Sequence, residues 1–288
     1  MDLKSKKPSK SEINTIFILS KGRPQCTTVE TLNSLGYKGE WYILCGNNDD
    51  KLDEYKKLWG DKVLVFDWYK KVQECDLMDN FKDRPSGVTP ARNAAMDIAK
   101  SMGKLRFWEF DDDFLGFKRT NLYKNKNEKI TDGDELEEFL YRASLFGYRS
   151  RSSNVGFSFS FVECNPINFN KYNFRVYSTH NLSTDDDIFE PFTGRTNEDI
   201  NNPIDLARKG KYSFQFRFVQ VLMRASRKES GGLTELYKQD GSIKRAAYSI
   251  MRCPSQCKLV FDKYGWHDHI KYSDLVPKFI NEKYKRRT

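Results

Sequence analysis

The chain has 288 residues, which is enough for one or two domains and for a sizeable hydrophobic core. Lys and Arg number 49 against 40 Asp and Glu, and the net charge of +9 favours a polyanionic partner. The absence of any apolar run near the roughly 18 residues of a membrane span, and of an apolar signal core, argues against the membrane and secreted classes. The six cysteines are therefore expected to be free thiols in a reducing cytoplasm.

The first part of the chain alternates short apolar runs with helical segments, after a loose basic arm predicted at residues 1–12. The predicted strands are 15–19, 41–45, 63–66 and 105–110. The predicted helices are 27–35, 52–58 and 90–102, the last with Pro90 in its first turn. This alternation predicts an α/β fold, with a mainly parallel sheet that has helices on both faces. Ligands of such sheets bind at the carboxyl ends of the strands.

Three polar loops follow predicted strands, at residues 20–24, 46–50 and 111–113, and are expected to share one edge of the sheet. Asn47 and Asn48 offer the donors and acceptors that recognise a nucleobase, although Gly-Asn-Asn-Asp is equally typical of an ordinary turn. The side chains of Ser20, Lys21 and Arg23 either line the same pocket or belong to a plain loop.

The pattern after residue 113 is weaker and predicts a less regular α+β half. Helices are predicted at 134–146 and 197–209, strands at 155–162, 172–177 and 212–223, and a mobile loop at 226–242. Neither an internal repeat nor a linker divides the chain. Residues 13–288 are therefore predicted to form a single domain, with a regular half at 13–117 and a less regular half at 118–288.

An acidic triplet, Asp111-Asp112-Asp113, directly follows the fourth predicted strand. Residues two apart in extended chain point the same way, so Asp111 and Asp113 can face one side together. Two carboxylates held close need a cation or a basic group between them, and a divalent metal bridged to phosphate oxygens meets that need. The alternative is a solvated acidic turn, which is our interpretation of the second triplet at 185–187, because that triplet lies in a polar stretch.

These features occur in the order found in GT-A fold nucleotide-sugar glycosyltransferases, which residues 13–117 resemble. The resemblance rests on the loop at 20–24, the segment 45–48, the Arg92-Asn93 pair at a helix start, and the triplet at 111–113. More narrowly, the chain resembles the phage glycosyltransferases associated with TET/JBP-type oxygenases. Those proteins are thought to add sugar to hydroxymethylated pyrimidines in DNA. Their Glu-Asp pair before a downstream helix is matched by Glu198-Asp199.

The resemblance implies a nucleotide-sugar donor, with a UDP-sugar expected, and a bound Mn²⁺ or Mg²⁺. Asp111 and Asp113 would hold the metal on the donor diphosphate, and Asp112 would face sugar or ribose hydroxyls. Arg92 would hold a phosphate or the base edge, and Asn93 would offer a paired donor and acceptor. A surface position on the helix is the alternative for Arg92.

The resemblance also assigns the acceptor side of the reaction. Asp199 is the expected catalytic base, with Glu198 supporting it. The alternative is that both acids merely complement the dipole of a helix N-terminus.

His267 and His269 lie two residues apart, and by the resemblance one of them completes the metal site. A rival is a zinc site made with Cys253 and Cys257, although His-x-His is shorter than the usual spacing. A third interpretation is that neither histidine binds a metal.

Basic residues concentrate after residue 140 and suit a phosphate backbone. The resemblance implies double-stranded DNA bearing a hydroxymethylated pyrimidine as acceptor, in the cytoplasm of an infected bacterial cell. A base in duplex DNA must leave the stack to be modified. The alternatives are a glycan or protein acceptor, or a non-catalytic nucleic-acid-binding protein on a decayed α/β scaffold.

Overall fold

The computed structural model describes residues 7–80, 87–121, 123–124, 126–159, 170–223, 234–262 and 265–275. The strands are β1 Thr15–Leu19, β2 Trp41–Gly46, β3 Val63–Phe66, β4 Arg106–Asp111, β5 Phe114–Asn121, β6 Lys126–Lys129, β7 Asn154–Phe159, β8 Asn170–Tyr172, β9 Thr179–Ser183, β10 Ser213–Met223, β11 Cys257–Asp262 and β12 Gly265–Ile270. The helices are α1 Lys10–Ile13, α2 Thr27–Ser34, α3 Leu52–Trp59, α4 Trp68–Glu74, α5 Thr89–Ser101, α6 Gly133–Ser150, α7 Glu198–Arg208 and α8 Thr234–Arg252.

Strands β3, β2, β1 and β4 lie side by side in that order and are all parallel, as the alternating pattern predicts. Strand β1 is buried along its whole length because helices cover both of its faces. Ile16 and Ile18 pack in one core with Val29 of α2, whereas Phe17 packs in a second core with Ala95 of α5. The predicted α/β architecture of this half is confirmed, and its strands end at one edge.

The sheet continues beyond β4 in the order β9-β7-β10-β5-β6, with β8 pairing separately on β10. Strand β9 runs antiparallel to both β4 and β7, while β7 and β10 are parallel to each other. The result is one mixed ten-stranded sheet, and β11 and β12 form a separate antiparallel hairpin. The less regular second half is therefore confirmed, and the predicted division between residues 117 and 118 falls inside β5.

Strand β9 is absent from the sequence-based prediction because its residues are polar. They are nevertheless buried, and Asn181 among them is bound by a buried arginine of the neighbouring strand β4. Arg106 donates from Nε to Asn181 Oδ1 and from Nη2 to the Asn181 carbonyl, both at 2.7 Å. Asn181 in turn donates to Ser144 of α6. Because these hydrogen bonds satisfy the polar groups, the strand can lie inside the core.

The bounds of several helices and strands differ from the predicted ones. The loose arm ends earlier than residue 12, because Ser9 and Glu12 form a capping box at the start of α1; residues 1–6 lie outside the described part. Helix α8 occupies residues 234–242 of the loop predicted at 226–242. The rest of that loop, residues 226–233, lies outside the described part of the chain. The predicted strand 172–177 is extended only at Tyr172, and the one at 155–162 is described as far as Phe159.

Within the described ranges, no helix is both long and apolar enough to cross a membrane. The cysteines in those ranges are free thiols, as predicted.

Candidate active site

The loops after β1, β2 and β4 meet at one edge of the sheet, as predicted. Asp49 accepts a hydrogen bond from the Gly22 amide at 2.9 Å, which joins the first two loops. Asp112 accepts from Ser20 Oγ at 2.5 Å and from Arg23 Nη1 at 2.8 Å, which joins the first loop to the third. Both carboxylate oxygens of Asp112 are thus engaged, and burial raises its pKa. Asp112, predicted to face sugar or ribose hydroxyls, thus holds the first loop against the third.

Lys21, Asn47 and Asn48 are brought together by Trp68, the first residue of α4. Trp68 donates its backbone N–H to Asn47 Oδ1 at 2.9 Å. Asn48 Oδ1, in the amide orientation that satisfies its neighbours, accepts from Lys21 Nζ and from Trp68 Nε1, each at 3.2 Å. The Lys21 ammonium lies 5.1 Å from the Trp68 ring centroid. Trp68 was missed in the sequence, although it follows the third strand at the same edge as the three loops.

Arg92 is buried at the centre of three carboxylates. Its Nη1 contacts Glu109 Oε2, its Nη2 contacts Asp111 Oδ1, and its Nε contacts Glu198 Oε1, each at 3.3 Å. Only 3% of the Arg92 side chain is exposed, so the surface interpretation is wrong. Because these contacts use its fork of donors, Arg92 links α5, the end of β4 and the start of α7.

Burial raises the pKa of several acids around Arg92. Burial raises the pKa of Glu109 to about 8, although Arg92 opposes the rise. Burial and the neighbouring Asp199 raise the pKa of Glu198 to about 7. Burial, with Asp111 and then Asp112 nearby, raises the pKa of Asp113 to about 7. Acids with perturbed pKa values that gather at one edge of a sheet mark a functional site.

Helix α7 is held in place by contacts from distant parts of the chain. Asn93 donates to the Phe192 carbonyl at 3.0 Å and accepts from the Phe192 amide at 2.9 Å. Arg195 forms a two-point ion pair with Asp79, at 2.6 and 2.8 Å. Asn93, predicted to contact the donor, therefore has its amide occupied by the segment that leads into α7.

Asp199 lies beside Glu198 but has a different partner. Arg175 approaches Asp199 Oδ2 at 2.7 Å from Nε and at 2.5 Å from Nη2. The Arg175 guanidinium stacks 4.2 Å from the centroid of the Tyr177 ring. Arg175 was not singled out in the sequence, where it is one basic residue within a predicted strand.

Two further buried groups lie beneath Arg92 on neighbouring strands. Glu109 of β4 pairs in register with His180 of β9. His180 Nδ1 is 3.0 Å from Asn154 Nδ2 and so accepts its hydrogen bond, while burial lowers the pKa of His180 well below its usual value. The signal for Glu109 was in the sequence, since it lies two residues before Asp111 on the same side of the strand.

The sequence matches the family described as TET-Associated Glycosyltransferase over residues 14–232. The chain belongs to this family. As a glycosyltransferase, it is expected to take its sugar from a nucleotide-sugar donor. The matched residues contain the whole edge described above and stop before α8 and the β11–β12 hairpin.

Other comparisons add little to this assignment of the glycosyltransferase. No curated protein matches the chain. A solved structure titled "Crystal Structure of a Mycobacterial Protein" is 14% identical, with 90% of this chain and 83% of that chain covered and a TM-score of 0.47.

The two predicted metal-binding aspartates of the glycosyltransferase lie at the end of β4. Asp111 is 29% exposed on its side chain and keeps one oxygen away from Arg92. Asp113 Oδ1 is buried without a hydrogen-bond partner. Two such carboxylates fit a divalent ion that takes its other ligands from phosphates and water. The described residues contain no group of three or more His, Cys, Asp or Glu side chains arranged to hold a metal by themselves.

Within the described ranges, His267 and His269 form no such metal-holding group with these aspartates. They lie on one face of β12, opposite Val260 and Lys258, while Asp268 points from the other face. His267 Nδ1 lies 3.3 Å from the Gly265 carbonyl. That a histidine of this pair completes the metal site stays a prediction.

The rival zinc site is also excluded within the described chain. Cys257 pairs with Ile270 and so lies on the face opposite the two histidines. Cys253 and Cys257 are buried against Ile204 in a small apolar cluster.

The described part of the predicted basic surface is largely paired. Arg142 contacts Glu138 at 2.6 Å, Arg252 contacts Asp205 at 2.6 Å, and Arg151 contacts Asp185 at 3.6 Å. The remaining basic groups that motivated a DNA acceptor include residues 224–228 and 278–287, which lie outside the described residues.

Proposed function

We propose that this glycosyltransferase moves a sugar from a UDP-sugar to the hydroxyl of a 5-hydroxymethylpyrimidine in DNA, in the cytoplasm of a phage-infected bacterium. The observation that carries the proposal is the double attachment of Arg92. Its guanidinium contacts Asp111 at the donor edge and Glu198 at the start of α7, each at 3.3 Å. One buried side chain thus joins the group proposed to hold the donor to the group proposed to activate the acceptor.

On the donor side, Asp111 and Asp113 would hold Mn²⁺ or Mg²⁺ against the diphosphate. The metal would neutralise negative charge as the nucleoside diphosphate leaves. The buried, unpartnered oxygen of Asp113 supports this assignment, because such an atom is costly without a ligand. Lys21, Asn47 and Trp68 would form the wall against the nucleoside.

On the acceptor side, the contacts favour Glu198 over Asp199 as the base. A general base works best when its pKa lies near the operating pH, and that of Glu198 is raised to about 7. Asp199 is tied to Arg175 by two short contacts. We therefore assign proton removal from the acceptor hydroxyl to Glu198 and give Asp199 a positioning role, which reverses the roles predicted from the sequence.

The DNA acceptor is supported by the family's association with TET oxygenases and by the net charge of +9. A duplex carries closely spaced phosphates, and an excess of basic groups raises the affinity for it. A glycan acceptor has no corresponding requirement for charge.

The test measures nucleotide release and sugar transfer from several UDP-sugars with Mn²⁺. The acceptors are duplexes containing 5-hydroxymethylcytosine or 5-hydroxymethyluracil, an unmodified duplex and free glycans. We expect transfer only to a hydroxymethylated duplex, and its loss in Asp111→Asn. Asp187→Asn, in the exposed second triplet, is the matched control and should behave as wild type. Turnover on glycans without transfer to DNA would refute the acceptor.

A further inference from the structure

The β11–β12 hairpin is an element outside the residues that match the family. Its base is anchored, because Cys257 and Ile270 pair in register and pack with Ile204 of α7 and Ile250 of α8. Helix α8 contacts both of its strands. Through Ile204, the hairpin is thus fixed to α7, the helix that carries the proposed base Glu198.

One face of this hairpin carries apolar side chains toward solvent. Phe261 and Trp266 pair in register near its tip, with ring centroids 5.1 Å apart. Phe261 is 65% exposed, Trp266 38%, and Leu259 of the same face 37%. Exposed apolar side chains scattered singly are ordinary, but two packed aromatic rings at the end of a two-stranded ribbon form a contact surface.

The same face of the hairpin also contacts the start of α7, next to the proposed active site. Asp268 lies on it, two residues from Trp266, and its Oδ1 is 3.5 Å from Asn197 Nδ2. Asn197 immediately precedes Glu198. At about 3.3 Å per residue, two residues of strand span roughly 7 Å, so the aromatic pair stands close to the start of α7.

The basic charge of the whole chain and the small size of the aromatic pair favour a nucleic acid as its partner. Of the lysines at the base of the hairpin, Lys258 is exposed on the opposite face and Lys271 pairs with Asp274. A stable protein interface uses roughly 20–30 residues on each side, far more than three apolar side chains on a ribbon. Two-stranded ribbons fit DNA grooves, and apolar side chains inserted between base steps unstack and kink a duplex.

We propose that the β11–β12 hairpin contacts duplex DNA and that Phe261 and Trp266 enter the base stack beside the target nucleotide. This inference rests on the proposed DNA acceptor. Extruding a base leaves a gap and loses stacking, and an aromatic ring placed in that gap recovers part of the loss. The hairpin would therefore open the duplex, while the family's own residues perform the transfer.

The test compares wild type with the double variant Phe261→Ala/Trp266→Ala on two presentations of the same hydroxymethylated base. We expect transfer to the fully paired duplex to fall at least tenfold. Transfer to the same strand without its complement should change less than threefold, because no stacked pair has to be opened. Trp266→Phe should retain most of the activity on the duplex. Leu58→Ala, at an exposed apolar site on α3, is the control.

A second measurement does not depend on transfer. A duplex with 2-aminopurine at the target position should brighten on binding wild type and stay dark with the double variant. If wild type glycosylates no DNA, the proposed function fails, and the fluorescence still decides the inference. The inference is overturned if the double variant opens the duplex like wild type, if both DNA forms lose activity equally, or if the substitutions change the oligomeric state measured by sedimentation.

Discussion

Arg92 and Glu109 form an ion pair inside the sheet, with Nη1 and Oε2 3.3 Å apart and almost no exposure of either side chain. One ionised carboxylate would balance the charge of Arg92, yet Glu109, Asp111 and Glu198 all contact the same guanidinium. Three acidic side chains therefore share one basic partner. The surplus makes Arg92 essential to the arrangement, because without it three carboxyl groups would face one another.

Substitution of Arg92 should damage both stability and activity. Arg92→Met leaves buried carboxylates without a partner, and such a loss costs about 3–5 kcal/mol of unfolding free energy. Arg92→Lys keeps the charge but cannot reach three carboxylates, so it should remain folded and lose about 100-fold in transfer rate through misplacement of the reacting groups. Denaturant unfolding and turnover assays measure the two effects.

The control for these variants is Arg142→Met, which breaks the exposed pair with Glu138 and should change stability by less than about 1 kcal/mol. Arg92→Lys with unchanged turnover would contradict the linking role of Arg92.

Glu198→Gln should abolish most of the transfer without preventing donor binding. Loss of a general base costs about 10²–10⁴-fold in rate. The pKa of Glu198 is raised to about 7 by burial, and a base must be unprotonated, so wild-type kcat/KM should rise as the pH increases through 7. With Mn²⁺ saturating at every pH, so that protonation of Asp113 does not limit metal binding, that rise should vanish in Glu198→Gln and persist, at a lower rate, in Asp199→Asn. The reverse result would restore Asp199 as the base.

Metal affinity should depend on the protonation of Asp113. Burial raises its pKa to about 7, so below that pH a proton competes with the metal. Calorimetry with Mn²⁺ and UDP should show affinity falling about tenfold per pH unit below 7, as expected for displacement of one proton. Asp113→Asn should bind weakly at every pH, while Asp187→Asn should follow wild type. A flat pH profile in wild type would remove Asp113 from the metal site.

Burial of His180 should make the protein less stable in acid. Its pKa is lowered well below 6.5 in the folded state, so below pH 6.5 the unfolded chain binds a proton that the folded chain does not. The free energy of unfolding should fall as the pH drops from 6.5, by up to about 1.4 kcal/mol per pH unit.

The measurement is the pH dependence of denaturant unfolding in wild type and in His180→Gln, which removes the titrating ring. The raised pKa values of Glu109, Glu198 and Asp113 act in the opposite direction, but they are present in both proteins. The steeper loss in wild type therefore reports His180.

The parallel half of the fold and the position of its loops were predictable, because each βαβ unit is specified by local patterns. The partners of the loop residues were not. Asp112 and Asn93 have the chemistry of donor ligands, yet their hydrogen bonds go to Ser20 and Phe192, which are 92 and 99 residues away. Local spacing carries no information on such contacts.

Faces of strands were harder still to predict. The alternation of His267 and His269 correctly puts both on one side, but their sequence does not tell which side meets α7. Register decides this, and it places Asp268 there. Strand β9 was missed for a related reason, since the partners of its polar residues, such as Arg106 and Asn154, lie on neighbouring strands.

Strand β9 also determines how relatives of this enzyme can be recombined. It comes from the second half of the chain, yet it covers the edge of β4 that would otherwise present unpaired N–H and C=O groups. A chimera that joins the first 117 residues of one protein to the remainder of another would pair β4 of the first protein with β9 of the second. Donor and acceptor preferences should therefore be exchanged by replacing loops at the strand ends, with β4 and β9 inherited together from one parent.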